Sequence, residues 1–112
     1  MIKVTLNVDE NEVIRGVSLW GHASNYSGEE CQSICFAVSS VIYTIDKIDH
    51  EHVLEFKSGY FVYEPSINTL HPNTSDEHYF TLLEVLVTHI FILSQRYPKC
   101  FIIERRKQHY EN

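Results

Sequence analysis

From Ser33 to Ile48 the apolar residues Ile34, Phe36, Ala37, Val38, Val41, Ile42, Ile45 and Ile48 cover most of a helical circumference. A helix apolar nearly all round is a buried helix, so this segment is expected inside the fold. A chain of 112 residues forms one domain, 1–112, and buries one core rather than two. The remaining elements must therefore wrap around this one.

Residues 2–8 (IKVTLNV) place Ile2, Val4, Leu6 and Val8 on one face, a period-two pattern that predicts a strand. Asp9-Glu10-Asn11-Glu12 is the turn, and residues 13–20 return as a second strand of a hairpin. Residues 53–57 and 60–64 flank Ser58-Gly59 and predict a second hairpin. Pro65 to Asp76 is polar, with two prolines, and reads as a long loop. A second helix is expected from an N-cap at Asp76 to about Tyr97, before Pro98. Its main stripe is Phe80, Leu83, Leu86, Val87, Ile90 and Leu93; Leu82, Val85 and Ile92 form an offset stripe. A last strand covers 100–104. The order ββ-α-ββ-α-β predicts an α+β fold, two helices packed on a mainly antiparallel sheet.

The formal charge of -6 disfavours a general nucleic-acid binder, which needs a basic face to displace counterions from phosphates. Arg105-Arg106-Lys107 is the only basic cluster and reads as a solubilising tail. A partner with a basic segment suits the acidic balance better. Three cysteines cannot all pair internally, and no apolar run suggests a secretory leader or a membrane span. These features predict a cytoplasmic protein with free thiols and no membrane partner.

A cysteine attacks as the thiolate, which a helix N-terminus, a cation or a histidine favours. With Ser33 as N-cap, Cys35 falls in the first helical turn. Ser27-Gly28-Glu29-Glu30 also matches a capping box and would push Cys35 into a later turn. Gly28 is a poor helix former, which favours the start at Ser33. His22, in Gly21-His22-Ala23 after the second strand, has the chemistry of a base for a nearby thiol. Taken alone, a cysteine in an apolar helix is more often core than nucleophile.

Gly21-His22-Ala23 followed by Ser33-Ile34-Cys35-Phe36-Ala37-Val38-Ser39 resembles the signature of the ribosomal-processing cysteine protease family. That signature is Gly-His-Ala, a short glycine-containing loop, then Asp-Ile-Val-Cys-Ala-Ala-Val-Ser. The resemblance spans nearly the whole chain. It implies a cysteine endopeptidase that removes an N-terminal extension from a large-subunit ribosomal protein, without a cofactor. It implies His22 as base, Cys35 as nucleophile and Ser39 as a supporting residue. Gln32 stands where the family carries Asp, and the loop from His22 to Cys35 is slightly longer than usual. An amide supplies no negative charge, so reduced activity is one expectation; Glu29 or Glu30 are candidates for that role. A non-catalytic ribosome- or peptide-binding module of the same fold is the alternative.

Cys31 and Cys35 are four residues apart and share a helical face. Zinc would need four ligands, and the third cysteine, Cys100, lies in a predicted strand, so no metal is expected. A Cys31–Cys35 redox couple is disfavoured too, although its oxidation would silence the nucleophile. His50-Glu51-His52 reads as a solvated turn, His71 and His78 border the long loop, and His89 reads as a hydrogen-bonded or interface histidine. Leu82, Val85 and Ile92, with His89 between them, are expected to face outward and to join two copies of the chain.

Overall fold

A computed structural model describes residues 1–23, 28–65 and 80–109. The strands are β1 (Ile2–Val8), β2 (Ile14–Gly21), β3 (Val53–Lys57), β4 (Tyr60–Tyr63) and β5 (Phe101–Lys107). The helices are α1 (Gly28–Ile48) and α2 (Phe80–Arg96). The five strands form one sheet in the order β3-β4-β2-β1-β5. Every pairing is antiparallel except that of β1 with β5, which is parallel. The ββ-α-ββ-α-β order and the mainly antiparallel sheet are as expected from the sequence.

The register fixes which side chains share a face. Val4 lies opposite Leu19, and Leu19 opposite Phe61; Leu6 lies opposite Val17, and Val17 opposite Tyr63. All of these enter one core cluster with Ile34, Val38 and Ile45 of α1 and Leu83, Leu86, Val87, Ile90 and Leu93 of α2. Both helices therefore cover the same face of the sheet. The strands contribute alternate residues to it, except where bulges shift the register, between Ile14 and Val17 and between Val53 and Phe56.

The hairpin between β1 and β2 is held by Asp9. Its Oδ1 accepts the N–H groups of Asn11 (2.8 Å) and Val13 (3.0 Å), and its Oδ2 accepts from Nε of Arg15 (2.9 Å). These donors, with the Arg15 guanidinium foremost, hold the Asp9 carboxyl below the usual carboxylate range. The Arg105-Arg106-Lys107 cluster belongs to β5 rather than to a free tail. Lys107 Nζ reaches the Glu12 carboxylate at 2.8 Å, tying β5 to the same hairpin.

Four further expectations are corrected. First, α1 is amphipathic and not buried all round: Phe36 is 74% exposed, and Tyr43 and Ile48 also face water. One sheet face and one neighbouring helix cover only one stripe of it. Second, α1 begins at Gly28 and not after Ser33. Glu29 and Glu30 occupy the first turn, where carboxylates meet the positive end of the helix, and this offsets the cost of the glycine. Third, Cys100 is itself buried but lies in a single turn of 3-10 helix, Pro98–Cys100, ahead of β5. Fourth, His50-Glu51-His52 is only half solvated. His50 is exposed beside Asp46, whereas His52 is fully buried and bonds through Nδ1 to the Asp49 carboxylate at 2.8 Å. Tyr63 Oη donates to the same carboxylate at 2.7 Å, so the end of α1 is locked to β4. The expected N-cap Asp76, most of the 65–76 loop, His71 and His78 lie outside the described residues.

Candidate active site

Cys35 and His22 come to one place from elements distant in sequence. β2 ends at Gly21, and His22 follows at once, exposed at the end of the sheet. Gly21 has φ +104°, and a side chain there would drive a Cβ to 2.3 Å from the Met1 carbonyl oxygen. Only glycine lets the chain leave the sheet at this angle. The Met1 nitrogen donates to the His22 carbonyl, and Gly21 N–H donates to the Gly59 carbonyl at 2.9 Å. The backbone at His22 is thus tied on one side to β1 and on the other to the turn joining β3 and β4.

That turn also meets the imidazole. A Cβ on Gly59 would stand 2.8 Å from Nε2 and 3.3 Å from Cε1 of His22. Gly59 has φ +74°, a conformation that suits glycine and gives the Ser58-Gly59 link its tight reversal. The sequence marked these residues only as a hairpin turn. Their place beside the histidine follows from the antiparallel pairing of β2 with β4, in which Trp20 lies opposite Tyr60.

His22, Cys35 and Ser39 line one cavity of about 280 Å³. Cys35 is half-buried, and Ser39 follows one helical turn later. Ile42, Tyr43, Phe56 and Phe61 make its apolar wall, while Trp20, Lys57 and Tyr60 stand at the sheet side. The aromatic wall is continuous: Tyr43 meets Phe56 at 4.9 Å between ring centroids, and Phe56 meets Phe61 edge-on at 5.2 Å. Lys57 Nζ lies 5.5 Å from the Tyr60 ring centre. A thiol, an imidazole and an aromatic recess therefore share one opening.

The remaining expected residues fall differently. Gln32 is exposed and lines a neighbouring depression with Glu29, Glu30, Ser33, Phe36 and Tyr97. Cys35 lies seven residues beyond Gly28, so its N–H sits inside the helical ladder and not among the unpaired donors of the first turn. The unpaired donors at the helix start therefore do not act on Cys35, contrary to the expectation from a start at Ser33. Cys31 is half-buried on the same face, and burial, then the neighbouring Cys35, pushes its thiol above the usual range. His89 turns toward α1, where Nε2 meets the Ala37 carbonyl at 3.2 Å, and Leu82 is partly covered by the core. Of the offset stripe, Val85 and Ile92 are exposed. Among the described residues no group of three His, Cys, Asp or Glu side chains is arranged to hold a metal ion, and no helix is long and apolar enough to cross a membrane.

Comparison with known proteins gives a family and several solved structures of similar fold. The family model described as cysteine protease Prp matches residues 1–102. A crystal structure of SMU.848 from Streptococcus mutans is 26% identical, with 96% of this chain and 99% of that one covered at a TM-score of 0.68. The essential ribosomal processing protease Prp of S. aureus, solved with a covalently linked product peptide, is 14% identical, with coverage of 95% and 100% and a TM-score of 0.68. The same S. aureus protease with a substrate peptide gives 13% identity, the same coverage and a TM-score of 0.66. A search of the curated proteins gives no match. The match over residues 1–102 establishes that the chain belongs to the Prp family of cysteine proteases.

Proposed function

We propose that the chain is a cysteine endopeptidase that removes a short N-terminal extension from a large-subunit ribosomal protein, with Cys35 as nucleophile and His22 as base. The observation that carries this reading is the shared cavity of a half-buried thiol and an exposed imidazole beside an apolar recess. His22 takes the proton of Cys35, and the thiolate attacks the scissile carbonyl. His22 then protonates the leaving amine, and water hydrolyses the thioester. The aromatic wall formed by Tyr43, Phe56 and Phe61 suits an apolar side chain of the substrate next to the scissile bond. Ser39 supports the site from the same helical face, and Gln32 belongs to the rim rather than to the imidazole's surroundings. The S. aureus relative is itself described as a ribosomal processing protease, which favours a ribosomal substrate met in the cytoplasm.

The test is cleavage of a peptide copying the extension, together with alkylation of the native protein across pH. Cys35→Ala should abolish cleavage and leave the fold intact. His22→Ala should slow both reactions at neutral pH. Undiminished cleavage by Cys35→Ala would reject the nucleophile, and unchanged alkylation in His22→Ala would reject the base. A folded parent chain with no cleavage and no fast-reacting thiol would favour the non-catalytic module.

For assembly, we propose a homodimer through the outer face of α2. Val85 is 52% exposed there and Ile92 is exposed on the same side, with Thr81, Glu84 and Thr88 around a shallow groove. A two-fold contact lets each copy cover the apolar pair of the other.

A further inference from the structure

We propose that Cys31 is a resolving cysteine, which closes a reversible disulfide with Cys35 after a hydroperoxide has oxidised Cys35. The inference rests on the reading of Cys35 as the reactive thiol, and it adds a modification that the protease reaction does not need.

The geometry carries it. Cys31 and Cys35 stand four residues apart on one face of α1, both half-buried and both in contact with the core. Burial, together with the neighbouring Cys35, favours the protonated form of Cys31. A protonated thiol is not itself the target of a peroxide, because the thiolate is the nucleophile. Cys35 opens on the cavity that His22 also lines, whereas Cys31, one turn earlier on α1, does not line it. The pair thus has one partner that opens on the cavity and, one helical turn away, a second that does not.

The two steps balance. In the first, the Cys35 thiolate attacks the O–O bond of a hydroperoxide; an S–O bond forms, the O–O bond breaks, and the departing alkoxide or hydroxide takes up a proton. Cys35 is oxidised to the sulfenic acid, and the peroxide is reduced to an alcohol or to water. In the second, the Cys31 sulfur attacks the Cys35 sulfur. The S–S bond forms, the S–O bond breaks, and the hydroxide leaves with the Cys31 proton as water.

Two neighbours at this spacing on a helix have Cβ atoms about 5–6 Å apart. A disulfide needs about 3.5–4.5 Å. The helix must therefore tighten locally, and it can do so cheaply at this end. Cys31 is the fourth residue of α1, close to the end of the helix, where turns fray more readily than in the interior. A bond closed against that strain is easily reduced again, as labile regulatory disulfides are. The alternative fate of a sulfenic acid without a resolving thiol is the irreversible sulfinic acid. Cys31 would thus turn peroxide damage at the nucleophile into a pause.

The experiment treats the full chain with hydrogen peroxide and follows intact mass, the tryptic map and alkylation of Cys35. Arg15 and Lys47 bracket both cysteines, whereas Cys100 follows Lys99, so a Cys31–Cys35 bond appears within one peptide and a Cys31–Cys100 bond as a cross-link. The parent should lose two hydrogens within the single peptide, lose alkylation at Cys35 and regain it fully with a dithiol. Cys31→Ser and Cys31→Ala should instead gain oxygen at Cys35 and fail to recover. Equal accumulation of sulfinic acid in parent and variants would overturn the proposal, and so would a Cys31–Cys100 cross-link. Failure of the nucleophile assignment is read separately, as peptide cleavage by Cys35→Ala without peroxide, and leaves the mass measurement decisive for the disulfide.

Discussion

Replacing Gly59 by alanine tests whether the β3–β4 turn positions the histidine. The added Cβ would begin 2.8 Å from Nε2 of His22. Van der Waals separation requires about 3.5 Å, so the imidazole must retreat by roughly 0.7 Å or swing away. A misplacement near 1 Å at a reacting group can cost about 100-fold, so a loss of roughly 10- to 100-fold in kcat/KM is expected. The left-handed backbone adds a stability cost of about 1–2 kcal/mol for a residue with a Cβ. That corresponds to a fall in Tm of roughly 5–15 °C, which a domain stable by about 5–15 kcal/mol survives. The assay is alkylation of Cys35 against pH, run well below the variant's Tm, beside peptide cleavage. Ser58→Ala, which alters the same turn without the φ strain, is the control and should behave as the parent. A folded Gly59→Ala chain with the parent's alkylation profile and the parent's kcat/KM would refute the positioning argument.

Three further outcomes are expected. Tyr63→Phe removes the donor to the buried Asp49 carboxylate and should cost about 1–3 kcal/mol, read as a lower urea midpoint with the m-value unchanged. Asp9→Asn should flatten the acid limb of stability. The folded carboxyl of Asp9 is held below its unfolded value, so its contribution is present above about pH 4 and is lost as pH falls through the folded value. Thermal melts of parent and variant should therefore differ at neutral pH and converge in acid. Val85→Glu should convert a dimer into a monomer in sedimentation at micromolar concentration, and a parent chain that is already monomeric there would reject the α2 contact.

The elements were readable from the sequence because their patterns are local. Alternation in residues 2–8 marked β1, and the stripe of Leu83, Leu86, Val87, Ile90 and Leu93 marked the buried face of α2. Gly21-His22-Ala23 and the stretch around Cys35 pointed to two residues that do line one cavity. The start of α1 was misread because the poor helix propensity of Gly28 was given more weight than the capping-box pattern, whose acids Glu29 and Glu30 fill the first turn. The burial of α1 was overestimated because side-chain type does not say how much surface the neighbours can cover, and Phe36 and Tyr43 face water. Gly59 beneath the imidazole depends on the register of β2 with β4, strands far apart in sequence, while Asp49 between His52 and Tyr63 and the aromatic wall depend on how α1 and its end meet the β3–β4 hairpin. No local pattern carries such information.

The parallel pairing of β1 with β5 has a consequence for how the molecule comes into being. β1 is an interior strand with Ile2 aligned to Phe101, so one of its two edges stays bare until almost a hundred more residues have been made. Loop closure over that distance is entropically costly, and non-local pairing of this kind is slow. The residues around His22, Cys35 and Gly59 can meet through β2, β4 and α1 alone. Yet the strand they lean on is not closed until β5 docks, and an open edge invites another chain to pair with it. A segment that supplies no side chain to the cavity thus sets the moment at which the enzyme is finished, and a ribosome still holding residues 101–107 carries a protease with an unguarded edge.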